Sequence, residues 1–394
     1  MKKTRSLLQI LTTLCLSTLL ATACIGPITS DNSSEIENSD FTITWKNYDD
    51  SVLEVDYNVP YGAIPTYNGA TPTRITDVQT YTFSTWSPSV SSVTSDQAYT
   101  AQFDKIVNEK YQFGSYPQSK VIDDVLISSL NTSAGALPSS SDSQSWTDYG
   151  YYISGYVSSY MWYIDLVNEE DEYRGVYLTT YRPYYTSLTS SSLNSFQPGN
   201  GYSTSLVYWF KYEPITWRVL DVINDEAFLM ADLVLDSQDY HYSDDGRTVG
   251  GSTVYSNNYE HSHIRSWLND NFYNTAFSLN EKEQIINTTV ENSTISTGYD
   301  SNEYACTNTS DKVFLLSYAE ATSTAYELNI NSSRMLQPSA YAQSQGANSF
   351  WWLRSPHNTY DGGAKYVNNN GDIHDSGYVI ITYFGIVPAL WILF

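Results

Sequence analysis

The chain has 394 residues, enough for two or three domains and at least one large core. Its formal net charge is -24 with 16% charged residues, which excludes nucleic acid and anionic membrane surfaces as main partners, because both need basic patches. The 36 Tyr, set among many Ser, Thr and Asn, point to an exported β-rich protein that makes neutral polar and aromatic contacts, although Tyr is also simply a good strand residue.

The N-terminus is basic (Lys2, Lys3, Arg5), then apolar to Leu20, then Ala21, Thr22, Ala23 and Cys24. That tripartite pattern predicts an export signal, too short for a stable span. Small residues directly before a Cys resemble the lipobox of bacterial lipoproteins. The resemblance implies a signal peptide over 1–23, diacylglycerol on the Cys24 thiol, and membrane attachment through that lipid alone. The alternative is an ordinary secretory peptide with an incidental Cys. Ile25 is not the Asp that commonly retains such proteins at the inner membrane, so a surface-exposed place in the cell envelope is expected. Cys15 lies inside the signal, which leaves Cys306 as the single free thiol of the mature chain. One thiol makes neither an intrachain disulfide nor a Cys-rich zinc site. Residues 24–40, rich in Ser, Asn, Asp and Glu, read as a flexible tether.

From Phe41 the pattern becomes that of strands: Phe41–Trp45, Val52–Val55, Tyr81–Trp86 and Tyr99–Phe103, with turns at Tyr61-Gly62 and Asn68-Gly69. The strings Thr44-Trp45-Lys46-Asn47-Tyr48-Asp49, Pro65-Thr66-Tyr67, Ala70-Thr71-Pro72-Thr73 and Trp86-Ser87-Pro88 resemble the Listeria–Bacteroides repeat of bacterial surface proteins. That resemblance covers 41–103 once and implies a β-grasp-like module serving as a stalk.

Residues 104–394 form the expected head. Ser139–Ser141 and Thr189–Ser192 read as surface loops, and the closely spaced aromatics of Tyr149–Val167 as strand or covering loop. Ile215–Leu220 and Glu226–Met230 flank a turn at Asn224-Asp225 and predict a hairpin. Ile264, Trp267, Leu268 and Phe272 share one face of a helix, with Asn257 and Glu260 as its expected cap. Ser278 with Glu281 and Ser317 with Glu320 start two further short helices, and Val313–Leu316 reads as a buried strand.

The stretch 350–394 is apolar at both ends, predicted as core strands of an antiparallel sheet, with a polar insert rich in Asn, Asp, His and Tyr. The insert is either a recognition face on a rigid frame or a set of solvated loops. Phe113-Gly114, Tyr116-Pro117-Gln118, Tyr212–Leu220, Ile264–Asn269, Ala276–Ser278, Val313–Ser317, Pro338–Ala342, Trp351–Pro356 and Gly385–Trp391 follow one another in an order that resembles a bacterial domain family of unknown function, numbered 6273, over about 111–394. His357 stands where that family usually has Gly, and Val387 where it usually has Arg. The family is similar to C-type-lectin-like domains, some of which end in repeats varied by diversity-generating retroelements at Asn codons. His357, Asn358, Tyr360, Asp361, Asn368, Asn370, His374, Tyr378, Ile380, Thr382 and Tyr383 are compatible with such variation. The implied fold class is α+β: a C-type-lectin-like head of antiparallel sheet with a few short helices, plus the small β module.

The expected function is binding of an extracellular protein or glycan through His357, Asn358, Tyr360, Asp361, Asn368, Asn370, His374, Tyr378, Thr382 and Tyr383, where rings give flat contact and polar groups give adaptable hydrogen bonds. Trp351, Trp352, Pro356, Gly385, Pro388 and Trp391 would hold the frame; Arg354 is either a buried structural cation or a rim contact. The alternatives are a structural envelope protein and an enzyme. No Ser-His-Asp elbow, phosphate loop or Cys pair is present, no cofactor is expected, and His357, His374 and Asp361 are more plausibly bystanders than metal ligands.

Overall fold

The computed structural model describes residues 40–75, 80–105, 110–138, 145–158, 160–188, 196–223 and 226–393. The expected signal peptide, Cys24 and nearly all of the tether lie outside these residues, as do Ser139–Ser141, Thr189–Ser192 and the turn at Asn224-Asp225. Architecturally the protein is mostly β-sheet with a few short helices, compatible with an α+β class.

The N-terminal strands Asp40–Lys46, Val52–Pro60, Arg74–Ile75, Thr80–Ser87 and Gln97–Lys105 form one sheet in the spatial order second, first, fifth, fourth, third. First and last strands run parallel, from Ile43 opposite Gln97 to Lys46 opposite Thr100. Alternation in the first strand turns Ile43 and Trp45 inward, where Trp45 stacks on Tyr99 at 4.9 Å between centroids. With Val93 these residues make a separate small core.

The head is organised on the strand Val207–Ile223. Its β-branched and aromatic residues suit a long strand. Its first part pairs with Asp171–Leu178 and its last part with Glu226–Ala231, while Lys110–Lys120 pairs along it from Phe210 to Arg218. Pro214 has no N–H to give the ladder, and the register shifts between Pro214 and Thr216. Ala389–Leu393 extends the sheet beyond Glu226–Ala231, and Met161–Asn168 with Thr147–Asp148 extends it on the other side. The hairpin expected around residue 224 is therefore present.

A second five-stranded sheet runs in the order Asp236–Ser237, Gly385–Ile386, Trp351–Pro356, Gly363–Val367, Ile373–Tyr378. The two apolar ends of the C-terminal stretch thus belong to different sheets, a correction to the single antiparallel sheet expected. Trp351–Pro356 also runs parallel to Gly385–Ile386, and only Ala389–Leu393 joins the larger sheet. Gly385, between Asp236–Ser237 and Trp351–Pro356, is packed so closely that a Cβ there would collide with Val234 Cγ1.

Both helix starts marked by a Ser and a Glu three residues on are reciprocal capping boxes, Ser278 with Glu281 and Ser317 with Glu320. The helix His263–Trp267 is instead capped by Ser262, whose side chain accepts from Arg265 N–H. It continues through a π-helical turn, Leu268–Phe272, and its buried face is Ile264, Leu268 and Phe272. Val313–Leu316 is fully buried, but only Phe314 makes a strand-like bridge, to Ala389.

Candidate functional site

The polar insert folds as the hairpin Gly363–Val367 and Ile373–Tyr378, Gly363 opposite Tyr378 and Val367 opposite Ile373. The period of two turns His374, Ser376 and Tyr378 outward. The opposite face is anchored. Lys365 is buried, and its Nζ donates to Tyr299 Oη at 3.0 Å and lies over the rings of Tyr299 and Tyr318. Tyr299 donates in turn to Asp375 Oδ2 at 2.9 Å. Burial pushes the Lys365 amine down; Asp375 is also desolvated, but the Tyr299 hydrogen bond and the Lys365 charge outweigh that and hold its carboxyl below the usual range.

Of the predicted frame residues, Trp351, Trp352, Arg354, Pro356, Gly385 and Pro388 are buried, and Trp391, in the larger sheet, is half-buried, stacked on Phe228 at 5.0 Å. Arg354 is a structural cation. It clamps Glu320 with Nη1–Oε2 at 2.5 Å and Nη2–Oε1 at 2.9 Å, and donates to the carbonyls of Leu315 and Glu291.

The ten predicted contact residues separate into three groups. At one end of the hairpin, His357, Asn358, Tyr360, Asp361 and Tyr378 cluster, with Tyr360 edge-on to both His357 and Tyr378 at 6.4 and 5.8 Å. Tyr360 is 37% and Tyr378 48% exposed. Asn257 holds this end from below, donating to the carbonyls of Tyr360 and Gly363 at 3.0 Å each, which is why it does not cap the helix. At the other end, His374 stacks on Tyr366 at 5.3 Å and meets the Asn368 amide at 3.0 Å. Asn368 Oδ1 accepts from the N–H groups of Asn370 and Asp372, so it shapes the turn that presents exposed Asn370. The ladder separates the two ends by roughly 10 Å. His374 therefore does not meet His357 and Asp361, and among the described residues no three His, Cys, Asp or Glu side chains gather as a metal site.

Thr382 and Tyr383 correct the expectation. Thr382 is buried and donates to the Pro183 carbonyl at 2.5 Å. Tyr383 packs among Tyr184, Phe196 and Phe384, and burial raises its phenol to about 12. The chain turns inward after Tyr378, where Val379, Ile380 and Ile381 are all buried.

A second site escaped the sequence reading. A cavity of about 310 Å³ lies between the aromatic run at 147–163 and the residues after Asp236. Tyr149, Tyr151 and Tyr163 form a wall: the first two rings lie at 2° and 5.5 Å, and Tyr163 leans on Tyr149 at 4.8 Å. Tyr116, Tyr341, Arg174 and Asp236 make the buried floor, while Asn271 and Thr147 stand exposed at the mouth. Tyr116 donates to Asp236 Oδ2 at 2.6 Å, Tyr149 and Tyr341 hydroxyls lie 3.0 Å apart, and Tyr151 donates to Gln345 Oε1 at 2.5 Å. Arg174 chelates Asp165 with both bonds at 2.7 Å. His263 Nδ1 lies 2.9 Å from Asp239 Oδ2.

Burial raises the phenols of Tyr116, Tyr149 and Tyr151 and the Asp236 carboxyl. For His263 burial opposes charge, but the Asp239 carboxylate wins and raises the imidazole; Asp239, likewise desolvated, is held low by His263. Neighbouring His241 has no such partner close enough to prevail, and burial with Arg247 lowers it to about 4. The local signal for this site was the dense Tyr spacing at 149–163; what it closes over was invisible, because the floor comes from Tyr116, Asp236 and Tyr341.

Residues 224–393 match the model of the family described as Domain of unknown function (DUF6273). The match begins later than the span expected from the motifs. No curated protein and no solved structure matches the chain.

Proposed function

We propose that this protein is a bacterial surface lipoprotein, anchored through Cys24, that binds an extracellular protein or glycan with the outward face of its C-terminal hairpin and performs no catalysis. In this reading the head is C-type-lectin-like and the N-terminal sheet is a β-grasp-like stalk. The observation that carries it is the exposed row His374, Ser376 and Tyr378, with Tyr360 edge-on to Tyr378, on a hairpin whose inner face is fixed by buried Lys365. Rings held on a rigid strand lose little entropy on contact, which suits a recognition face. Thr382, Tyr383 and Ile380 take no part, and any sequence diversification at those three positions would alter packing rather than the ligand face.

The test is to display the full chain to arrays of glycans and of extracellular-matrix proteins, beside the double variant Tyr360→Ala, Tyr378→Ala. Hits that disappear in the variant while its melting curve stays unchanged support the face. Hits that all survive overturn it. Metabolic labelling with a fatty-acid analogue checks the anchor: label retained in Cys24→Ser removes the lipid assignment.

A further inference from the structure

We propose that the tyrosine-walled cavity is a second binding site, separate from the hairpin face, and that it takes a neutral saccharide the size of one or two sugar rings. The volume of about 310 Å³ sets the size, at the lower end of small-ligand sites. The charge pattern sets the class. Arg174 is spent on Asp165, Asp236 accepts from Tyr116 and from Ser237 N–H at 2.6 Å each, and His263 faces Asp239. An anion entering would meet Asp236 and find Arg174 and His263 already paired with carboxylates; a cation would meet Arg174 and His263, and Asp236, whose two oxygens already accept from neutral donors, has no ion pair to exchange.

What remains is flat aromatic surface beside neutral hydrogen-bonding groups. The rings of Tyr149 and Tyr163 line the cavity; Arg174 covers one face of Tyr163 at 4.3 Å and Tyr151 stacks on Tyr149, which leaves the remaining ring surface for the C–H side of a pyranose, and the hydroxyl of Tyr116 can still accept. At the mouth, the side chains of Asn271 and Thr275 make no hydrogen bond to another described residue. Their groups stand at the rim of a polar floor, so a ligand dense in hydroxyls is matched at both depths. The wall, Tyr149 to Tyr163, lies outside the region that matches the family model, whereas Asp236, His263, Asn271 and Tyr341 lie inside it. The matched region thus supplies only part of the polar side, while the segment before it supplies the whole stacking side together with Tyr116 and Arg174 of the floor.

Saturation-transfer NMR of the full chain with a panel of neutral mono- and disaccharides tests this, with acetate and choline as charged probes. At least one neutral sugar should give a saturable signal, and Asn271→Ala, a change at the exposed rim that keeps the fold, should weaken it about tenfold, the worth of one hydrogen bond to a well-placed partner. Tyr163→Ala should abolish it, and Tyr378→Ala on the hairpin should leave it unchanged, which separates this site from the face proposed above. No saturable signal from any neutral sugar, a tighter response to acetate or choline, or a signal indifferent to Asn271→Ala and Tyr163→Ala would each overturn the proposal.

Discussion

The hairpin face and the tyrosine cavity are made of the same kinds of residue put to opposite use. On the hairpin, Tyr360 and Tyr378 turn their rings to solvent, and the whole cluster comes from one continuous stretch. In the cavity, the hydroxyls of Tyr116, Tyr149 and Tyr151 reach partners 120, 192 and 194 residues away along the chain. An outward ring answers only to what it meets, so it can change without consequence for folding. A phenol buried on a distant acceptor belongs to the fold first and to any ligand second.

The contrast can be broken most forcibly at Arg354, which lies on the strand beside the hairpin yet behaves like a cavity residue. Arg354→Met strands Glu320 and two carbonyls, and the expected loss is about 3–5 kcal/mol in urea unfolding; a loss within noise would mean the clamp is dispensable. Next comes pH. His241 is neutral when folded, its Nδ1 accepting from His263 N–H at 3.3 Å, and it titrates near 4 against about 6.5 when unfolded. The unfolded chain takes up that proton first, so stability should fall as pH drops from about 6.5 toward 4, by up to about 3 kcal/mol. His263 has the reverse sign: its raised value gives stability that is complete below the unfolded value and lost as pH rises through the folded one. Melts over a pH series should show His241→Gln flattening the acid limb and His263→Gln flattening the alkaline limb; parallel shifts would contradict both assignments.

A single oxygen then sharpens the comparison. Tyr151→Phe leaves Gln345 Oε1 buried without its donor and should cost about 1–3 kcal/mol. The double change Tyr360→Ser, Tyr378→Ser removes two whole rings and should move stability by no more than about 0.5 kcal/mol. If the two rings cost more than the one oxygen, the hairpin is part of the core and the recognition reading loses its footing.

Local chemistry explains what could be read in advance. The strands of the N-terminal sheet, the hairpin around residue 224 and both capping boxes are specified by neighbours within a few residues. Asn257 and Glu260 have the spacing of a cap, yet the Asn257 amide is claimed by carbonyls more than 100 residues later, and Ser262 does the capping. The outward hairpin was half legible, since its aromatic and polar residues are contiguous. Which of them face inward was not, because the chain's inward turn after Tyr378 depends on the packing of Thr382 under Pro183 and of Tyr383 on Phe196. The cavity was illegible for the same reason taken further: no window of sequence contains both wall and floor.

One feature of the larger sheet bears on how such a head is assembled from parts. The family match opens at residue 224, but Glu226–Ala231 is bonded on one flank to Val207–Ile223 and on the other to Ala389–Leu393. Cutting the chain at the match would strip one flank from a strand in which Ala227 to Ala231 are all buried, leaving an open edge of the kind that templates aggregation. The span that matches the family model and the span that closes this sheet do not coincide here. The residues before the match supply both the strand that closes that flank and, further upstream, the tyrosine wall of the cavity.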